Sequence, residues 1–85
     1  MSGIDPSEVR LLALLEAVTF VSPEPIPIAH LAYALGETPE RIRALADRLA
    51  AEFSQPHHGL MLRALAGGYQ LITKPEHNQQ LRELG

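Results

Sequence analysis

The chain has no cysteine among its 85 residues. That excludes a disulfide frame, a thiol nucleophile and a cysteine zinc site. Tryptophan is also absent, and there are only two Phe and two Tyr, so stacking on nucleic-acid bases has little to draw on. Basic residues are in the minority: seven Lys and Arg stand against ten Asp and Glu, for a formal charge of −3. A general electrostatic grip on phosphates is therefore missing, although a local basic patch is compatible with that total. Long apolar runs are missing as well. Leu11 to Leu15 is far too short to span a bilayer, and the start, MSGIDPSEVR, places acidic residues before any apolar stretch, unlike a signal peptide. These absences lead to the expectation of a soluble, cytoplasmic protein with no membrane role. At this length one domain with one small core is expected; burial per residue is then limited, and a partner surface would add to it.

What is present is clearest between Gly59 and Pro75, GLMLRALAGGYQLITKP. Two short alternating segments meet at a glycine pair and predict a β-hairpin over residues 60–74. Residues two apart in a strand share a face, so Leu60, Leu62 and Ala64 lie together, as do Tyr69, Leu71 and Thr73. A two-residue turn is either Ala66-Gly67 or Gly67-Gly68, since glycine supplies the positive φ such turns need. The first choice sets Leu62 opposite Leu71 and the second sets Ala64 there. Both bury the same face, whereas an odd-length loop would mix Gln70 and Lys74 into it. The other face carries Met61, Arg63, Leu65, Gln70 and Ile72 and is only half polar.

The residues before the hairpin predict three helices. Helix 1 covers residues 5–21, with Asp5 as N-cap, Pro6 at the first helical position and Glu8 three residues after the cap, as in a capping box. Leu11, Leu14, Leu15, Val18 and Val21 make one apolar stripe. Val9, Leu12, Ala13 and Phe20 make a second, broken by Glu16. Two stripes on one helix fit either a central helix packed from both sides, by the hairpin and helix 3, or a helix whose second stripe meets another subunit. Prolines 23, 25 and 27 break the helix, and Ile26 is placed to add a short edge strand to the hairpin. Helix 2 follows over 28–35 and ends before Gly36. Helix 3 covers 39–53, with Thr38 as cap and Pro39 as first residue; its stripe is Ile42, Leu45, Ala46, Leu49 and Phe53. A short helix closes the chain over 75–84. Two helices joined by a glycine-containing turn read as helix-turn-helix. With the hairpin after them, the expected class is α+β, mainly helical, a winged helix-turn-helix.

Candidate chemistry is sparse. Helix 3 carries Arg41, Arg43 and Arg48 on its outer face, where a DNA-reading winged helix makes its base contacts. Arg43 with Asp47 and Arg48 with Glu52 are spaced to pair along the helix, which makes this face self-neutralising. The hairpin tip, Ala66-Gly67-Gly68, has no basic residue for a minor groove. His57 and His58 are adjacent in a loop while His30 and His77 lie on separate helices; without helical pairing or a carboxylate at ligand spacing, no metal site is expected. No nucleophile motif surrounds Ser7, Ser22 or Ser54, and Gly67-Gly68 opens no helix that would cradle a phosphate. Neither a catalytic nor a cofactor-binding residue is expected, and the chain is not expected to be an enzyme.

Two stretches resemble a known family. LLEAVTFVSPEPIPIAHLAYALG (residues 14–36) and GLMLRALAGGYQLITKPEHNQQLREL (residues 59–84) are similar to segregation and condensation protein B, most specifically in FVSPEPI and AGGYQLITKPE. The resemblance implies the N-terminal winged-helix domain of a non-catalytic subunit of the bacterial SMC–kleisin condensin, acting in chromosome condensation and segregation. It implies a homodimer that binds the kleisin, segregation and condensation protein A, and through it the SMC ATPase at the nucleoid, with direct DNA binding weak or absent. Two departures accompany it. The family's second winged-helix domain is not in the sequence, which points to a fragment, and Pro27 stands where a capping Ser or Thr is expected. An acidic domain with surplus apolar surface agrees with assembly, and Val9, Leu12, Phe20, Met61, Leu65 and Ile72 are the expected dimer contacts. The alternative is a small winged-helix transcription regulator using Arg41, Arg43 and Arg48 on DNA.

Overall fold

The computed structural model describes residues 5–85. The first helix, α1 (Pro6–Val21), starts on Asp5, whose carboxylate accepts the Ser7 N–H at 3.1 Å. Pro6 needs no partner for its nitrogen at this position. α1 ends at Ser22, which is extended and whose hydroxyl donates to the Glu24 carbonyl at 2.6 Å, holding the proline turn. A two-residue strand, β1 (Ile26–Pro27), leads straight into α2 (Ile28–Leu35). Gly36 closes α2 in the left-handed region at φ 69°, and the Glu37 N–H reaches back to the Ala32 carbonyl at 2.9 Å. α3 (Pro39–Phe53) is capped by Thr38, whose hydroxyl accepts the Arg41 N–H at 3.1 Å. The wing is β2 (Leu60–Leu65) and β3 (Gly68–Thr73), and a 3-10 turn at Pro75–His77 runs into α4 (Asn78–Leu84). This is a winged helix-turn-helix.

The three strands form one antiparallel sheet in the order β1-β3-β2. Leu62 pairs with Leu71, which selects the Ala66-Gly67 turn over the Gly67-Gly68 alternative. Both turn residues have positive φ, 50° at Ala66 and 75° at Gly67. That is the two-residue turn whose twist matches the strands it joins, and Ala66 holds a conformation costly for a residue with a Cβ.

The neighbouring Gly68 is needed for a different reason. It is buried in the sheet, and a Cβ there would stand 2.6 Å from the Ile26 carbonyl oxygen. Only glycine lets β1 lie this close along β3, with Ile26 opposite Tyr69 and Pro27 opposite Gly68. The contact also resolves the missing cap of α2. Pro27 offers no side-chain hydrogen bond, and the Ile28 N–H donates instead to the Gly67 carbonyl at 3.1 Å.

The core gathers where the helices meet the sheet, with β2 on α3 and β3 on α1. Leu15, Leu31, Ile42 and Leu45 are sealed from solvent, and Ala46, Leu49, Phe53, Leu62 and Leu71 complete the cluster. α1 buries a narrower line than its leucine and valine content indicates. Leu15 is central, Leu11, Leu12 and Val18 pack beside it, and Thr19 is fully buried. Leu14 and Val21, expected in this stripe, are exposed, because each lies about 100–120° around the helix from Leu15. The Thr19 hydroxyl is satisfied within its own helix, donating to the Leu15 carbonyl at 2.7 Å. Among the described residues Lys74 is the other buried polar side chain, and its ammonium donates to the Gln55 carbonyl at 2.9 Å.

The turn and the close approach make opposite predictions. Ala66→Asn relieves the left-handed alanine and is expected to raise stability by about 1 kcal/mol. Gly68→Ala forces β1 off the sheet and is expected to lower it by roughly 1–3 kcal/mol. Chemical denaturation of the two variants beside the parent chain measures both.

Candidate interaction surface

The six expected contact residues stand in three settings. Leu12 is half-buried against the core, so its side chain is largely committed to the fold. Val9 and Phe20 are half or more exposed, at 50% and 61%, on the outer side of α1. Ala13 and Ala17 lie on the same side, also exposed. Met61, Leu65 and Ile72 are half-buried on the wing. Met61 is paired directly with Ile72 across the two strands. Successive strand residues point to opposite faces, so these three are turned away from Leu60, Leu62 and Leu71.

A groove runs between α1 and the inner face of the wing. Its volume is about 380 Å³, and Ala13, Glu16, Ala17, Phe20, Leu60 and Leu71 line it. Its walls come from two elements that the core holds at fixed separation. The only ionisable side chain lining it is Glu16, so what the groove offers is a mainly apolar contact surface bordered by Phe20, not a catalytic constellation. Among the described residues no buried side-chain polar atom lacks a hydrogen-bond partner.

The basic face of α3 departs from the expected pairing. Glu8 reaches across from α1 and takes both Arg41, at 3.4 Å, and Arg48. Its side chain is only 15% exposed. The reason lies in the helical period: Glu8 is two turns before Leu15 and so sits on the buried line of α1. Arg41 and Arg48 are likewise two turns apart on α3, on the side that meets α1. Glu8 therefore serves as an interhelix clamp and not as the side chain of a capping box, and Arg48 does not pair with Glu52. Among the described residues Arg43 makes no ion pair.

Glu52 turns instead to His58, with Nε2 and Oε2 3.0 Å apart. His57 lies alongside, its ring 4.4 Å from that of His58. No sequence spacing predicted this meeting. It arises because the chain folds back after α3, where the His58 N–H donates to the Gln55 carbonyl at 3.0 Å. His30 stays on α2, and His77 approaches only Glu76, at 3.9 Å. Among the described residues no helix is long and apolar enough to cross a membrane.

Comparison with known proteins adds independent findings. A family profile described as "Segregation and condensation complex subunit ScpB" matches residues 13–85. Segregation and condensation protein B of Syntrophotalea carbinolica is 40% identical over 76 residues, covering 89% of this chain and 39% of that protein. The protein of the same name from Moorella thermoacetica is 41% identical over 67 residues, covering 79% of this chain and 34% of that one. The chain thus spans well under half the length of these curated relatives. Among solved structures, ScpB from Mycobacterium tuberculosis shares the fold with a TM-score of 0.84 at 24% identity, over 98% of this chain and 51% of that one. A crystal structure of a dimer of an ScpB N-terminal domain complexed with ScpA peptide aligns with a TM-score of 0.76 at 26% identity, over 100% of this chain and 94% of that one.

The Glu8 clamp has a measurable signature. Glu8→Gln keeps the shape and removes the charge, and is expected to cost about 1 kcal/mol at low salt. The arginines are partly exposed, so the loss should shrink as salt is raised through 0.5 M. Thermal melts of the variant and parent at two salt concentrations read both effects.

Proposed function

The chain belongs to the ScpB family of segregation and condensation complex subunits, and from that premise we propose that it is a non-catalytic assembly subunit of the bacterial SMC–kleisin condensin. In this reading it pairs with a second copy of itself and binds a segment of the kleisin ScpA. It thereby joins the SMC ATPase at the nucleoid, within the cytoplasm. The observation that carries the proposal is the likeness along the whole chain to an ScpB N-terminal domain crystallised as a dimer with ScpA peptide. The surface supports it: on this small acidic domain Val9 and Phe20 are exposed along α1, and half-buried Met61, Leu65 and Ile72 lie on the outer face of the wing.

We assign the second copy to the outer side of α1, with Val9 and Phe20 at its two ends and the edge of Leu12 beneath. The outer face of the wing, Met61, Leu65 and Ile72, is the further part of the proposed contact. Direct DNA binding has little support. Two of the three arginines on α3 are held by Glu8, and the wing turn carries no basic side chain.

Phe20 is the residue to change, because its exposure separates association from folding. Phe20→Asp is expected to leave the folding stability within about 0.5 kcal/mol of the parent, while light scattering at micromolar concentration shows the mass falling from dimer to monomer. A parent chain that is already monomeric at that concentration overturns the dimer. Co-purification with the cognate kleisin tests the partner, and failure of the intact chain to retain it overturns the condensin role.

A further inference from the structure

We propose that Glu52, His57 and His58 form a binding site for a divalent transition-metal ion of the zinc type. The proposal is independent of the condensin reading and rests on side chains that this reading leaves unused. Each of the three offers one donor atom, and the three donors lie within 4.8 Å of one another. Two imidazole nitrogens and a carboxylate oxygen are the donor set that zinc accepts in open sites, with water completing a tetrahedron.

The geometry is close to that needed. Metal–ligand bonds of about 2.0–2.1 Å put neighbouring tetrahedral donors about 3.3 Å apart. His58 Nε2 and Glu52 Oε2 are already 3.0 Å apart. An ion between them takes the place of the hydrogen now shared by the two atoms. His57 is exposed, and its donor nitrogen already lies within 4.8 Å of the other two.

The fold places the backbone of Glu52 and the ring of His58. Glu52 is in the last turn of α3. The His58 ring sits edge-on to the buried Phe53 ring, with centroids 4.9 Å apart at 64°. The loop between them is pinned at Gln55, whose carbonyl accepts from the His58 N–H and from the Lys74 ammonium, and just beyond it the Gly59 carbonyl accepts from the Lys74 N–H at 2.8 Å. A ligand such as His58, whose ring is set by packing against Phe53, binds metal with little reorganisation. A bound ion would therefore staple the end of α3 to the loop that enters the wing.

The test uses the untagged chain and zinc chloride alone. Titration calorimetry is expected to show one ion per chain, and saturating zinc is expected to raise the thermal midpoint by about 4 °C or more. His57→Ala, at an exposed position, should keep the metal-free midpoint and lose both the heat and the shift. Glu52→Gln should weaken binding at least tenfold, and His30→Ala should leave it unchanged. Absence of heat and of any shift at millimolar zinc overturns the site, as does binding that survives His57→Ala.

Discussion

The fold depends on a backbone contact that a single Cβ would prevent. At Gly68 the wing lets the Ile26 carbonyl approach to a distance that no side chain would permit. The approach places β1 on the sheet, where it adds a backbone tie between the helical half and the wing to the packing of β2 on α3 and of β3 on α1. Pro27 has no N–H to give and confines this strand to the sheet edge. It also leaves α2 without a side-chain cap, so the first helical N–H finds its acceptor at Gly67. The wing turn thus ends the hairpin and starts a helix. Separation of the two would leave an amide unpaired as well as opening the core, and each element makes the other more costly to lose.

Glu8 imposes a second constraint, of an electrostatic kind. A carboxylate on the buried line of α1 is tolerated only when its charge is answered, and α3 answers it with two guanidinium groups. The arrangement sets the crossing of α1 and α3 by a polar contact at one end and by Leu15, Ile42 and Leu45 in the middle. It also decides what α3 is able to offer outward. In winged helices that read DNA this helix supplies the base contacts. Here Arg41 and Arg48 are partly exposed but paired with Glu8 of α1, so two of the three arginines on this helix have their charge answered within the domain.

Much of this was legible in the residues, and the exceptions share a cause. Caps and breakers act locally, so Asp5, Thr38, Gly36 and the hairpin glycines marked the elements and the winged-helix order directly. Alternation alone placed Leu62 and Leu71 on the hairpin's buried face, with Leu60 and Tyr69 half-buried beside them. Ala64 and Thr73, expected on the same face, are exposed because they lie toward the ends of the strands, beyond the core. The turn was legible only as a pair of alternatives, because Gly67 and Gly68 look alike until the approach of β1 shows that one serves conformation and the other proximity. Long-range pairing was not legible. Glu8 has a plausible local role as a capping-box residue, and only the position of α3 reveals the stronger one; its place two turns before Leu15 was the available signal. Thr19 hid similarly, as a hydroxyl that satisfies itself and packs like an aliphatic residue. Glu52 and His58 meet through a fold-back that no helical spacing encodes.

The distribution of apolar surface bears on how the proposed dimer would form. A two-fold contact uses the same patch on both copies. The outer side of α1 meets that requirement: Val9 and Phe20 are 11 residues apart, about 16 Å along the helix, with small alanines between them. Antiparallel apposition of two such helices sets Val9 of each copy near Phe20 of the other, while Ala13 and Ala17 allow close approach of the backbones. The outer face of the wing lacks this symmetry. Met61 and Ile72 form one cross-strand pair near its base, Leu65 stands at its tip, and Arg63 and Gln70 separate them. Such a face adds to the proposed contact at two points, its base and its tip, and not as a continuous stripe. The pleat of the wing, which turns these residues away from Leu60 and Leu71, therefore leaves the further part of the proposed contact on the side away from the core, while the outer side of α1 carries its two-fold centre.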